Sequence, residues 1–211
     1  MCNLFDNRVS FSDLVAAFGQ IRRPVLKPRP GSAPNLEPLD AVRPTDSAPV
    51  VRAYEDGVEL TAMRWGFIAD RPKAAPIINF RSEGRRFAQG RCLVPANGFC
   101  EFTGKAYPKT RWRFTLTGEP WLCMAGLWRR QETPQGPADR FTLLTTAPGP
   151  DMAPYHDRQV VVLPREHWAA WLSGQGSEAE LLVGLPKDSL SVERQAPAEP
   201  EMDLPLFGAA R

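Results

Sequence analysis

The sequence is short of histidine, of closely spaced cysteine pairs and of long apolar runs, and each shortage narrows what the chain does. No apolar stretch approaches the roughly 18 residues of a membrane-spanning helix. The N-terminus has no basic region followed by an apolar core, so we expect no signal peptide and a cytoplasmic location. The only histidines are His156 and His167, and no Cys-x-x-Cys occurs, so a zinc site would have to gather scattered ligands and no metal is expected. The cysteines are Cys2, Cys92, Cys100 and Cys123. In a chain of ordinary core size their even number does not argue for disulfides. Cys92, Cys100 and Cys123 sit in apolar runs and are expected to be buried as small hydrophobes. A Walker loop, a glycine-rich dinucleotide fingerprint and a Gly-x-Ser-x-Gly elbow are all missing, as are internal repeats. Nor is there a strong excess of one charge: 26 Lys and Arg face 24 Asp and Glu, a formal charge of +2. That balance neither predicts nucleic-acid binding nor excludes a local basic groove. Arginine supplies the candidates for such a groove, among them Arg85, Arg86, Arg91, Arg111, Arg113, Arg129 and Arg130.

Proline is abundant instead, at 22 of 211 residues, so many short strands and few helices are expected. Phe11, Leu14, Val15 and Phe18 fall at helical spacing behind Ser10 and Asp13, which resemble a capping box, and Gly19 can end the helix. Residues 24–49 read as an irregular, proline-rich surface crossing. "VVRAYEDGVELTAMRWGFI" reads as a hairpin turning near Asp56-Gly57, and "RCLVPANGFCEF" as a buried strand interrupted by Pro95 and Gly98. "TRWRFTLTGEPWLCMAGLWRR" gives the clearest hairpin, with its turn at Gly118-Glu119-Pro120. "RFTLLTTAP" and "QVVVLP" read as strands, "PREHWAAWLSG" as a short helix from Pro164 to Gly174, and "SEAELLVGL" as a candidate for another. The fold class expected is α+β, mainly β: a curved or barrel-like antiparallel sheet with a few short flanking helices. Residues 2–195 form one domain in this reading. Residues 196–211 form a proline- and acid-rich tail, with "LPLFG" near its end, expected to be loosely ordered.

Four positions carry chemistry. If Met1 is removed, Cys2 holds an α-amine, with an ordinary pKa of about 7.7–8.0, and a thiol two carbons away, with one of about 8.5. The amine forms a Schiff base with a carbonyl, and the thiol then closes a five-membered thiazolidine on the imine carbon. The natural target of such a pair is an aldehyde. The alternative is an ordinary cysteine that happens to follow Met1. "NFRSEG", from Asn79 to Gly84, gathers Asn, Arg, Ser and Glu where a strand leaves the core, and is otherwise a polar turn. Glu101 follows the apolar run "CLVPANGFC". It lies either on a wet strand face or in a pocket that raises its pKa and suits it to acid/base work. His156 stands in a loop before a strand, beside Asp157 and Arg158, as an exposed residue or as a proton shuttle. His167 reads as a helix-surface residue with no role.

An N-terminal Met-Cys, the Asn79-x-Arg81-Ser82-Glu83 segment, the "CLVPANGFCE" run ending in Glu101, and His156-Asp157-Arg158 before a strand occur in this order. Together with "MRWGF" and "RPTDSAPVV" they resemble the SOS response-associated peptidase (SRAP) family, over roughly residues 2–195. That resemblance implies recognition of abasic sites in single-stranded DNA and a covalent bond to the opened sugar. It implies Cys2 as the nucleophile, Asn79 as the group positioning its amine or the sugar, and Glu101 as the acid/base that opens the ring. His156 assists proton transfer and supports strand cleavage or crosslink reversal. It further implies Arg81 and Arg158 on phosphates and Trp65 stacked on, or wedged against, a base. No metal or organic cofactor is required. The partner expected is single-stranded DNA with an abasic site, without membrane association. The protein is expected to be a monomer, associated with the nucleoid when bound to DNA. The chain departs from the family in three places. Asn3-Leu4 replaces the common Gly-Arg, Phe102 replaces a common tryptophan, and the segment between Glu83 and Arg91 is short. Two other readings stay open: a cysteine peptidase using Cys2 and His156 that cuts its own Met1–Cys2 bond, and a non-catalytic β domain that binds nucleic acid through its arginines.

Overall fold

The computed structural model describes residues 2–19, 26–28, 36–54, 57–71 and 73–196. The strands are β1 (Phe5–Asn7), β2 (Leu26–Pro28), β3 (Leu39–Val42), β4 (Ser47–Tyr54), β5 (Gly57–Trp65), β6 (Asn79–Arg81) and β7 (Arg91–Ala96). They continue as β8 (Gly98–Thr103), β9 (Thr110–Leu116), β10 (Leu122–Gln131), β11 (Ala138–Thr146), β12 (Gln159–Val160), β13 (Val162–Leu163) and β14 (Leu190–Gln195). The helices are α1 (Phe11–Gly19), α2 (Trp168–Ser173) and α3 (Glu178–Leu181).

Strands β11, β10, β7, β4 and β5 pair antiparallel in that order, and β5 then meets β11 in parallel through Arg64↔Arg140 and Trp65↔Phe141. This last pairing closes a five-stranded barrel, which removes the open edges of the sheet. A second sheet, in the order β14-β9-β8-β1-β3, lies against it. The expected mainly β, barrel-like architecture with short helices is the observed one.

Side-chain alternation along the strands fills two cores. On β7, Cys92, Val94 and Ala96 join a cluster with Phe5, Trp65, Phe99, Phe114 and Phe141 between the sheets. Leu93, between them, points the other way, into a cluster with Leu14 and Phe18 of α1 and Trp168 and Trp171 of α2. Both faces of β7 are therefore covered, and its run reads apolar without a break, as expected for a fully buried strand. All four cysteines are buried and free.

Four local expectations change. On α1, Leu14, Ala17 and Phe18 are buried while Phe11 and Val15 face solvent, so the buried stripe is rotated by part of a turn. Its start is as read: Ser10 Oγ accepts from the Asp13 backbone N–H at 3.1 Å and donates to the Asp13 carboxylate at 2.6 Å. Residues 24–49 are not wholly irregular, because β2, β3 and the start of β4 lie in them. "RCLVPANGFCEF" is two strands in two sheets, broken at Asn97 rather than at Pro95. The segment 110–131 is no hairpin: β9 pairs with β8 and β14, and β10 with β7, β11 and β13. The chain changes sheets at both places, and the crossings are tied together, because Asn97 Nδ2 donates to the Pro120 carbonyl at 3.0 Å. The β4–β5 hairpin is observed, with Tyr54 opposite Gly57; the expected turn residue Asp56 lies outside the described residues. So does the tail from residue 197 onward.

Candidate active site

β1 places Cys2. Phe5 pairs with Phe99 and Asp6 with Gly98 on β8, and the Cys100 N–H extends the ladder to the Leu4 carbonyl at 2.8 Å. Continuing this antiparallel register lays Cys2 alongside residues 100–102. The residue is fully buried, and its Sγ donates to the Leu4 carbonyl at 3.4 Å. Asn79 reaches it from the other sheet: at the start of β6, its Nδ2 donates to the Cys2 carbonyl at 2.7 Å. The Oδ1 of the same amide is buried and has no hydrogen-bond partner among the described residues. Leaving such an acceptor unpaired costs about 1–3 kcal/mol, a cost commonly retained where a ligand supplies the missing partner.

Glu101 belongs to the same cluster. On β8 it alternates with Cys100 and, like Phe99, faces the interior, opposite Trp112 of β9. It is 2% exposed. Burial raises its pKa, the N-terminal amine offsets part of the rise, and the Asp157 carboxylate adds a smaller upward push. Burial also pushes the Cys2 thiol far up, and the adjacent Glu101 carboxylate adds to the rise. The thiol is therefore protonated at neutral pH, and the carboxyl beside it keeps its proton to a higher pH than an ordinary glutamate does.

The His156 loop closes this arrangement from a third side. Tyr155 packs its ring 4.8 Å from that of Trp112, the residue opposite Glu101. Asp157 is close enough to act on Glu101 electrostatically. Burial lowers the His156 pKa, so the imidazole is neutral near pH 7, and its Nδ1 accepts the Arg158 backbone N–H at 2.9 Å. Cys2, Asn79 and Glu101 thus meet at one place, with the loop of His156 laid against it.

The three remaining sequence candidates fare differently. Arg81 is exposed on β6, two residues beyond Asn79. Arg158 is 12% exposed, and its guanidinium is engaged by Glu83 and by the Thr145 carbonyl. Trp65 does not fit its expected role. It is fully buried, donates from Nε1 to the Ile78 carbonyl at 2.9 Å, and packs between Phe5 and Phe141, so it offers no ring face to a base. The strand parity of β5 turns it into the barrel. Glu83 and Asp157 stand in the motifs quoted from the sequence but have no role there, and Trp112 and Tyr155 are not singled out, because their part depends on pairings between distant segments. A cleft of about 730 Å³ lined by Arg8, Cys100, Arg111 and Arg113 lies on the opposite face of β8 and does not include Cys2 or Glu101. No cluster of three metal-ligating side chains occurs among the described residues. No helix among them is long and apolar enough to cross a membrane.

A strand-closed barrel packed on a second sheet, with a thiol, a carboxyl and an amide gathered where the N-terminal strand of that sheet meets β6, defines a class that comparison with known proteins identifies. The chain matches the SOS response associated peptidase (SRAP) family model over residues 1–195, and it belongs to that family. Abasic site processing protein YoqW of Bacillus subtilis (strain 168) is 31% identical over 141 residues, which is 60% of this chain and 62% of YoqW. Abasic site processing protein YoaM of the same organism is 31% identical over 140 residues, again 62% of its length. The match thus spans less than two thirds of these relatives. Among solved structures, a protein from Bordetella bronchiseptica superposes with a TM-score of 0.70 at 22% identity, over 93% of this chain and all of that one. A protein from Bacteroides thetaiotaomicron superposes with a TM-score of 0.61 at 20% identity, over 73% of this chain and 76% of that one. These two likenesses establish the fold.

Proposed function

We propose that the protein captures abasic sites in single-stranded DNA as a covalent thiazolidine at Cys2 after Met1 is removed. The observation that carries this reading is the meeting of Cys2, Asn79 and Glu101: a 2.7 Å bond from Asn79 to the Cys2 carbonyl, and a nearly buried carboxyl beside the Cys2 thiol. Membership of the SRAP family and relatives named abasic site processing proteins support it.

The chemistry balances with these groups alone. Opening of the abasic sugar exposes an aldehyde. The neutral Cys2 amine adds to its carbon to give a carbinolamine. The protonated Glu101 carboxyl hands its proton to the departing hydroxyl, which leaves as water, and an iminium remains. The Cys2 sulfur then forms the second bond to that carbon, its proton passes to the Glu101 carboxylate, and the electron pair of the C=N bond returns to nitrogen. A raised carboxyl pKa suits both halves: the acid persists to a higher pH than an ordinary carboxyl, and its conjugate base is a stronger base for the thiol proton. Asn79 holds the Cys2 backbone, and its unpartnered Oδ1 is an acceptor for the amine or for a sugar hydroxyl. Neutral His156 serves proton transfer during imine formation, and elimination at the sugar when the strand is cleaved. Exposed Arg81 takes a flanking phosphate. The thiol environment favours this reading over a cysteine peptidase, whose nucleophile works with a depressed pKa.

Incubating Met1-free protein with an abasic single-stranded oligonucleotide is expected to give a band that survives denaturing electrophoresis, absent in Cys2→Ala and in protein that retains Met1. An equal band from Cys2→Ala would refute the proposal.

A further inference from the structure

Arg158 does more in this structure than present a positive charge. Where β6 ends, three donors converge on the Thr145 carbonyl of β11: the Ser82 N–H and the Ser82 hydroxyl at 2.9 Å each, and Arg158 Nη2 at 2.9 Å. The two nitrogens of the Arg158 fork also bind both oxygens of Glu83, Nη2 to Oε2 at 2.8 Å and Nη1 to Oε1. The Glu83 carboxyl is held below its usual range chiefly by its hydrogen bond from Arg158. Glu83 is 45% exposed, so solvent screens the pair and it adds little to stability. What it does fix is position, because it joins the segment that begins at Asn79 to the loop that carries His156.

The consequence falls on one nitrogen. His156 Nδ1 accepts the Arg158 backbone N–H at 2.9 Å, while Asp157 Oδ1 stands 2.8 Å from the same Nδ1. An accepting Nδ1 carries no hydrogen, which puts the ring hydrogen on Nε2. A protonated Nδ1 would instead donate to Asp157 and lose the Arg158 N–H. Among the charged groups facing the imidazole, the N-terminal amine and the Arg158 guanidinium oppose the cation and Asp157 favours it. Which of the two Nδ1 contacts is made depends in part on where the Arg158 backbone N–H is held.

We propose that Glu83 and Arg158 are positioning residues whose ion pair, anchored on Thr145, holds His156 as the neutral Nε2–H form and ties it to the strand that carries Asn79. Only the rate measurement below rests on the abasic-site reading; the spectroscopic one stands without it.

The test is a pH titration of the free protein by long-range proton–nitrogen NMR of the imidazole, for wild type, Glu83→Gln and Arg158→Lys, with a thermal melt of each. Arg158→Lys keeps a charge and the backbone N–H but loses the fork. In wild type at neutral pH, Nδ1 is expected to be unprotonated. Both variants are expected to raise the His156 pKa by about one unit, as the Asp157-paired cation gains ground. Crosslinking at pH 7 is expected to slow about tenfold to a hundredfold. A protonated Nδ1 in wild type overturns the proposal whatever the variants do. So does an unchanged His156 titration in both variants, or a loss confined to a shallower salt dependence of DNA binding, which would return Arg158 to a phosphate. Should the titration shift as expected while no crosslink forms even in wild type, the positioning role stands and the abasic-site reading fails.

Discussion

A carboxyl group 2% exposed, with a thiol and an aspartate for company, is held toward its protonated form, and Glu101 makes that environment testable. Its folded pKa lies above the unfolded value of about 4.3. The native state therefore binds more protons than the unfolded state above that pH, and stability falls as pH rises through the folded value. Glu101→Gln removes this loss, so its melting temperature is expected to gain on wild type at pH 7 relative to pH 4. The same change removes the proposed general acid, and crosslinking is expected to fall about 10²-fold or more, losing the alkaline limb of its pH profile. A variant that crosslinks normally with an unchanged profile would exclude Glu101 from the chemistry. Cys2, Asn79, Glu101 and His156 could be named as candidates from the sequence because each sits in a short motif whose residue types suggest a chemistry. Glu83, Asp157 and Trp112 could not, since Glu83 and Asp157 act from segments 75 and 56 positions away from their partners Arg158 and Glu101, and Trp112 matters only through a strand register.

At the scale of the strand and the helix, composition announced elements better than partners. The run from Thr110 to Arg130 alternates around a Gly-Glu-Pro turn, which is what a hairpin looks like. Yet Phe114 stacks on Phe99 in one sheet, while Trp121 packs on Trp168 outside the barrel. The two halves are drawn to different cores, and local alternation does not report which. The α1 stripe shifted for a related reason: Ala17, too small to mark a face by hydropathy, packs against the barrel in place of Val15. Trp65 belongs to this scale as well, because parity along β5 turns it inward to the seam where β5 meets β11. Trp65→Ala is therefore expected to destabilise the fold by about 3–5 kcal/mol in urea denaturation, with the folded fraction still able to crosslink. Intact stability with lost crosslinking would instead mean that the ring meets DNA.

For the molecule as a whole, a net charge of +2 leaves DNA affinity to local cations rather than to bulk attraction. Arg81→Ala is expected to weaken single-strand binding regardless of base sequence and to flatten the plot of log affinity against log salt by about 0.7. An unchanged slope would take Arg81 off the phosphate. The packing of the second sheet against the barrel brings β1, β6 and β8 to one spot, so in the proposed mechanism Cys2 draws its amide and its acid from residues 77 and 99 positions later. The measurement that tests this assembly most directly is tandem mass spectrometry of the protease-digested adduct formed on an abasic single strand. A Met1-free N-terminal peptide carrying the sugar on both the nitrogen and the sulfur of Cys2 is the result expected. A sugar attached to a lysine, or no adduct from Met1-free protein, would contradict it.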